Sequence, residues 1–204
     1  AVGAVCEAIV HILHTTMRAE EAELNFASIN PTFEVYSGQD FSDTESSRRI
    51  TSGASVLLYR VLPNLNHRTP AGRFLPDGRR QRSQLPLDLH IIVTMWGRDP
   101  NTQNRLVGWV LRTLEDYSAL PASVLNVGRS TPVFGDEESV ELTIGEMEGD
   151  ELLTLWDMLG HHERYYQISI PYVARNIYIE SHRVEEAGTD VQIRTLDLRR
   201  MING

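Results

Sequence analysis

The sequence predicts an α+β domain, a mixed and mainly antiparallel sheet of four to six strands covered by two or three helices. Three observations predict it. From Leu87 to Trp96 the residues Leu87, Leu89, Ile91, Val93 and Met95 alternate with Asp88, His90, Ile92, Thr94 and Trp96, the period of two expected of a strand with one firmly buried face. A helical period follows at once. Asp99 stands where an N-cap belongs, Pro100 takes the first helical position, and Leu106, Val107, Val110, Leu111, Leu114 and Tyr117 recur at spacings of three and four. Shorter alternating runs and two further amphipathic stretches lie on either side, with no internal repeat at a solenoid period.

In chain order, Val2, Val5, Cys6, Ile9, Ile12, Leu13 and Met17 predict a first amphipathic helix. It runs into Glu20, Glu21 and Glu23, carboxylates placed unfavourably at a helix C-terminus unless an outside cation meets them or the end is solvated. Asn25 to Ser55 is polar and punctuated, a long loop with one short strand at Phe33 to Tyr36. Val56 to Leu62 alternates as a strand that Pro63, Asn64 and Asn66 end. The insertion from Arg68 to Ser83 carries Pro70, Gly72, Pro76 and Gly78, then Arg79, Arg80 and Arg82. On an acidic chain this reads as a basic tip, open to three readings: a solvated loop, a docking element for an acidic neighbour, or a nucleic-acid contact.

The strand from Leu87 is expected to be interior. Gly108, at about 1 kcal/mol against Ala in a helix interior, is expected to mark a close backbone approach. Pro121 to Asp136 reads as loop. Val140, Leu142 and Ile144 predict another strand, and Leu152, Leu153, Leu155, Trp156 and Leu159 a helix capped near Gly149-Asp150 and ended by Gly160. Tyr166 to Ile179 reads as a long strand whose Pro171 implies an edge or a bulge, and an unpaired edge invites a partner chain. Composition shifts at Ser181, so the expected organisation is a domain over residues 1–180 and a terminal strand or arm over 181–204. That arm holds VQIRTLDLRR with the pair Arg199 and Arg200.

At 204 residues the chain can bury one real core. No run approaches the roughly 18 apolar residues a membrane span needs, and Glu7, His11 and His14 break the first apolar segment, so neither a membrane protein nor a secretory signal is expected. Cys6 is the single cysteine, sits among apolar positions and reads as a buried small hydrophobe in a chain made in a reducing cytoplasm. The formal charge of −9 argues against nucleic acid as the general partner, because phosphates need a basic face. All 19 basic residues are arginines, which suit two-pronged pairing across an interface.

No nucleotide-binding, nucleophile-elbow or zinc-protease motif is present, and no cofactor is expected. His11 with His14, and His161 with His162, do not have the spacing of three or four converging metal ligands. Asp88 and His90 share a strand face and can hydrogen-bond, which makes them the one pair an enzyme would use; a structural histidine satisfied by a neighbouring carboxylate is the stronger reading of the two. Trp96, Trp109 and Trp156 read as core or interface anchors.

The run PLDLHIIVT, the polar turn after it and LVGWVLRTLED resemble the core of the cap, or tail-terminator, proteins of contractile injection systems. AIVHILHTTM, SVLLYRVLPNLNHR and ELLTLWDMLGHHERYYQISIPYVARNIYIES agree in the same order, so the resemblance covers most of the chain. It implies a non-catalytic cap that closes the distal end of an inner tube and joins its last ring to the last sheath ring. The cap is expected to act as a ring of six copies, assembled in the cytoplasm, with the tube and sheath proteins as partners and neither nucleic acid nor membrane among them. A baseplate or sheath-adaptor subunit of the same machine, and a stand-alone enzyme using Asp88 and His90, are the rival expectations. Arg79, Arg80, Arg82, Arg199 and Arg200 are the candidate partner-binding residues. Members of the family can carry further C-terminal regions, and contributions from such a region stay open.

Overall fold

The computed structural model describes residues 1–24, 30–42, 50–67, 73–74, 79–159, 166–181 and 183–185. Along the chain come helix α1 (Val2–Leu24), strand β1 (Thr32–Val35), the short helix α2 (Gly38–Ser42), β2 (Gly53–Pro63), β3 (Arg73–Phe74), β4 (Arg80–Gln81) and β5 (Leu85–Trp96). Then follow α3 (Pro100–Asp116), β6 (Ala119–Pro121), α4 (Ala122–Leu125), β7 (Ser139–Ile144), α5 (Gly149–Met158), β8 (Ser169–Ile179) and β9 (Val184–Glu185). Six strands form one sheet in the order β1-β2-β5-β8-β7-β6, and β3, β4 and β9 form a second, small one. Only β1 with β2 is parallel; every other pairing is antiparallel.

The strict alternation of β5 explains its place. Leu87, Leu89, Ile91, Val93 and Met95 are buried against α1, α3 and α4, and β2 and β8 flank the strand on both sides, so it is interior. The opposite face is covered over half its length. Ile92, Thr94 and Trp96 are buried as well, because α2 and α5 close over the C-terminal half of β5 with Tyr36, Phe41, Leu57 and Trp156. The rings of Phe41 and Trp156 meet edge to face at 5.9 Å, and Trp96 Nε1 donates to Ser55 Oγ at 2.9 Å, so the buried indole keeps its hydrogen bond. Only the first half of that face, with Asp88 and His90, stays half-exposed.

Helix α3 begins as its residues dictate: the Asp99 carboxylate accepts from the Thr102 backbone N–H at 3.0 Å and from Thr102 Oγ1 at 2.6 Å. Its buried face is Leu106, Trp109, Val110, Thr113 and Leu114 with Thr102, while Tyr117 is exposed. Trp109 Nε1 donates to Glu20 Oε2 at 2.9 Å, so the carboxylate near the end of α1 is met by a neutral indole instead of a cation.

Gly108 corrects an expectation. It is exposed, and a Cβ there would meet nothing within 4 Å, so no backbone approaches it. The close approach sits at Gly97, where a Cβ would stand 2.7 Å from Gln103 Cβ and 2.8 Å from its backbone nitrogen. Gly53, at φ 138, fits against Thr32 at the start of β2, a conformation and a contact open only to glycine.

A second correction concerns Pro171. Strand β8 is no edge: it pairs with β5 on one side and β7 on the other, in regular register at Ile92↔Pro171. The Gly145 N–H donates to the Pro171 carbonyl at 2.9 Å, and since both polar groups of a residue point the same way in an antiparallel strand, the N–H that proline lacks falls beside Gly145, just past the end of β7. The bulges lie elsewhere. Register shifts between Leu58 and Arg60 on β2, and opposite Leu87 to Leu89 on β8, where Asn176 has φ 65.

Two stretches expected as loop carry structure. Residues 68–83 contain β3 and β4, and residues 121–136 contain the end of β6 and all of α4, with Leu125 and Phe134 buried. Asn126 fastens the latter stretch by accepting from Val133 N–H at 2.8 Å and donating to the Phe134 carbonyl at 2.8 Å. Gly160, expected to stop α5, lies outside the described residues.

Candidate assembly surfaces

Of the arginines expected at a loop tip, Arg80 stands on a strand and Arg79 and Arg82 lie beside it. Arg80 lies in β4, opposite Phe74 of β3 and Glu185 of β9, and the Arg82 N–H donates to the Arg183 carbonyl at 3.4 Å. Arg79, Arg82 and Arg183 are exposed. The small sheet is tied to the large one, because Gln81 Nε2 donates to the Ser181 carbonyl at 2.9 Å and Gln84 Nε2 to Glu180 Oε1 at 2.8 Å. Sequence reading missed Arg183 and this pairing; two-residue strands show no period. Arg199 and Arg200 lie outside the described residues.

Asp88 and His90 are not brought together. The Asp88 carboxylate accepts twice from Asn64 Nδ2, at 3.1 and 3.2 Å, and the His90 ring meets Tyr59 edge-on at 6.1 Å. Burial first, then the Arg60 guanidinium, hold the His90 imidazole below its ordinary value, with Asp88 opposing. A base oriented by Asp88 would need to donate its ring N–H to that carboxylate, which accepts from Asn64 instead. Cys6 is buried, and that burial raises its thiol to about 11, which keeps it protonated at neutral pH. Among the described residues no group of three metal-ligating side chains converges, and no helix is long and apolar enough to cross a membrane. His161 and His162 are outside them.

Neither outer strand of the large sheet offers a long run of unpaired backbone. On β1 the bonds to β2 use Thr32 and Tyr36, and on the far side His14 Nε2 of α1 donates to the Phe33 carbonyl at 3.0 Å. On the other flank β6 is three residues long and ends in Pro121. Exposed apolar side chains are scattered among the described residues: Val61, Leu65, Leu85 and Ile179 lie towards one end of the large sheet, Ile144 ends β7, and Leu153 and Met158 lie on α5.

The family model of the Pvc16 N-terminal domain matches residues 4–193 of the chain. The chain belongs to that family, in agreement with the resemblance carried by PLDLHIIVT and its neighbouring segments. No curated protein matches it. Among solved structures its fold is similar to the PVC sheath/tube terminator of an extracellular contractile injection system in the extended state, with a TM-score of 0.59 and 14% identity over 95% of this chain and 61% of that one. It is similar also to the tube-terminating cap of the anti-feeding prophage, with a TM-score of 0.54 and 16% identity over 88% of this chain and 60% of the other. The chain spans about three-fifths of the length of these solved terminators, and at such identities the shared property is the fold.

Proposed function

We propose that this chain is a structural cap, or tail terminator, of a contractile injection system. It closes the distal end of the inner tube, joins the last tube ring to the terminal sheath ring and works as a ring of six copies, built in the cytoplasm and carried into the particle. Its part is binding and not catalysis. The observation that carries this reading is family membership over residues 4–193 together with a fold shared by two terminators of such particles. Arg79, Arg80 and Arg82 on and beside β4, with Arg199 and Arg200 in the arm over 181–204, are its partner-binding residues.

A cap that holds a finished tube gains its strength from several weak contacts made at once. The test is to produce particles with and without the chain and measure their lengths. Without it, tubes and sheaths should vary in length and their distal ends should stand open; uniform, closed particles in its absence would refute the reading, and loss of particle initiation instead would point to a baseplate role.

A further inference from the structure

One apolar row of the large sheet runs out from under its helices. Leu87 and Ile177, paired on β5 and β8, are buried, whereas the next pair on the same face, Leu85 and Ile179, is 40% and 41% exposed. A groove of about 920 Å³ opens there, lined by Val2, Val133 and Ile179 on its apolar side and by Asp136, Glu137 and Glu138 on its charged side. Val133 is exposed like Ile179, and Glu138 also accepts from the Gly135 N–H at 2.8 Å. Among the described residues no arginine or histidine lines the groove. An exposed apolar floor with a carboxylate border fits a segment that carries apolar residues and arginines together.

This chain holds such a segment. Over residues 191–200, Val191, Ile193, Leu196 and Leu198 are interleaved with Arg194, Arg199 and Arg200, against one carboxylate, Asp197. Residues 186–204 lie outside the described ones, but the strands before them set the direction in which the chain leaves. The pairing of β4 with β9 continues that of β5 with β8, since Arg80↔Glu185 follows Leu85↔Ile179 with the register changed by one residue. Glu185 is therefore carried six residues past Ile179, about 20 Å at 3.4 Å per residue, away from the groove. To fill the groove of its own copy the chain would have to double back along β9. Outward it has reach: the fifteen residues from Glu185 to Arg200 span up to about 50 Å. A folded chain of this length is about 40 Å across, so a neighbouring copy is within range.

We infer that residues 191–200 of one copy lie in the groove of the next, with their apolar side chains on Val133 and Ile179 and their arginines at the carboxylate border. The inference rests on the cap reading, which already gives Arg199 and Arg200 a partner, and it names that partner as a second copy of this chain. Segment and groove are unlike surfaces present once on every copy, so the contact passes head to tail and closes a ring. Its arginine part weakens with salt and its apolar part does not.

Two full-length variants test it. One carries Ile193→Asp, Leu196→Asp and Leu198→Asp in the segment; the other carries Val133→Asp and Ile179→Asp, both exposed positions of the groove. Each alone should keep the circular dichroism of the parent and fail to form rings. Mixed in equal amounts, they should form heterodimers and nothing larger, because one sound segment then meets one sound groove; native mass measurement reads this. Rings from either variant alone, no heterodimer in the mixture, or a parent that stays monomeric would overturn the inference. Should the groove variant not fold, Asp136→Arg with Glu137→Arg replaces it, and ring dissociation should move roughly tenfold higher in protein concentration; no shift overturns the inference too. Variants that cap particles as fully as the parent would sink this contact alone, whereas a parent that never caps particles sinks the cap reading itself.

Discussion

At the scale of single residues, glycines separate two kinds of constraint. Gly108 is exposed in the interior of α3 with open space where a Cβ would stand. Gly108→Ala should therefore raise stability by about 0.5–1 kcal/mol, seen as a higher melting temperature. Gly97→Ala should do the reverse, because its Cβ would press on the Gln103 backbone at 2.8 Å and the start of α3 would have to shift. His90 gives a pH dependence. Burial and Arg60 favour its neutral ring in the folded chain, so the unfolded chain takes up this proton first. Stability from this group is complete above the ordinary value of 6.5 and falls as pH drops from there through the lowered folded value. Melting the parent and His90→Gln at about pH 7.5 and about pH 5.5 checks this; the parent should lose more on acidification than the variant.

At the scale of elements, α5 is held by one deeply buried side chain. Trp156 is its only fully buried residue, packed against Phe41, Trp96 and Tyr166, with Leu152, Leu155 and Leu159 partly covered around it. Trp156→Ala should cost about 3–5 kcal/mol and weaken the near-UV circular dichroism that the ring cluster produces. The elements legible in the sequence are those with a periodic apolar face: α1, β2, β5, α3, β7, α5 and β8 all answer to a period in apolar positions, and β1 shows as a short apolar run from Phe33 inside its loop. What the period could not show is whatever a distant segment decides. Ile92 and Trp96 look like the open face of a strand until α2 and α5 are placed over them. Pro171 looks like an edge residue until the end of β7 is known to lie beside its missing N–H. The arginines were legible as a basic cluster, but their position on and beside β4 depends on pairing Arg80 with Glu185, more than a hundred positions away, through strands of two residues.

At the scale of the whole molecule, the two described outer strands of the large sheet present no long free edge, since His14 serves Phe33 on β1 and β6 is short, so the contacts of the proposed cap are argued from side-chain surfaces. Those surfaces are weak one at a time. An exposed ion pair is worth about 0–1 kcal/mol, and only a ring with several copies engaged gives a firm hold. Replacing Arg79, Arg80 and Arg82 together with serine should leave the chain folded while lowering cap occupancy on particles, more so at high salt. The central claim is that this chain ends the tube, and the measurement that meets it most directly is the copy number and position of the chain in intact particles by electron microscopy. The account predicts one closed ring of six copies at the end of each tube distal to the baseplate, in contact with the last tube ring and the terminal sheath ring. A single copy there, or density for the chain only at the baseplate, would contradict it.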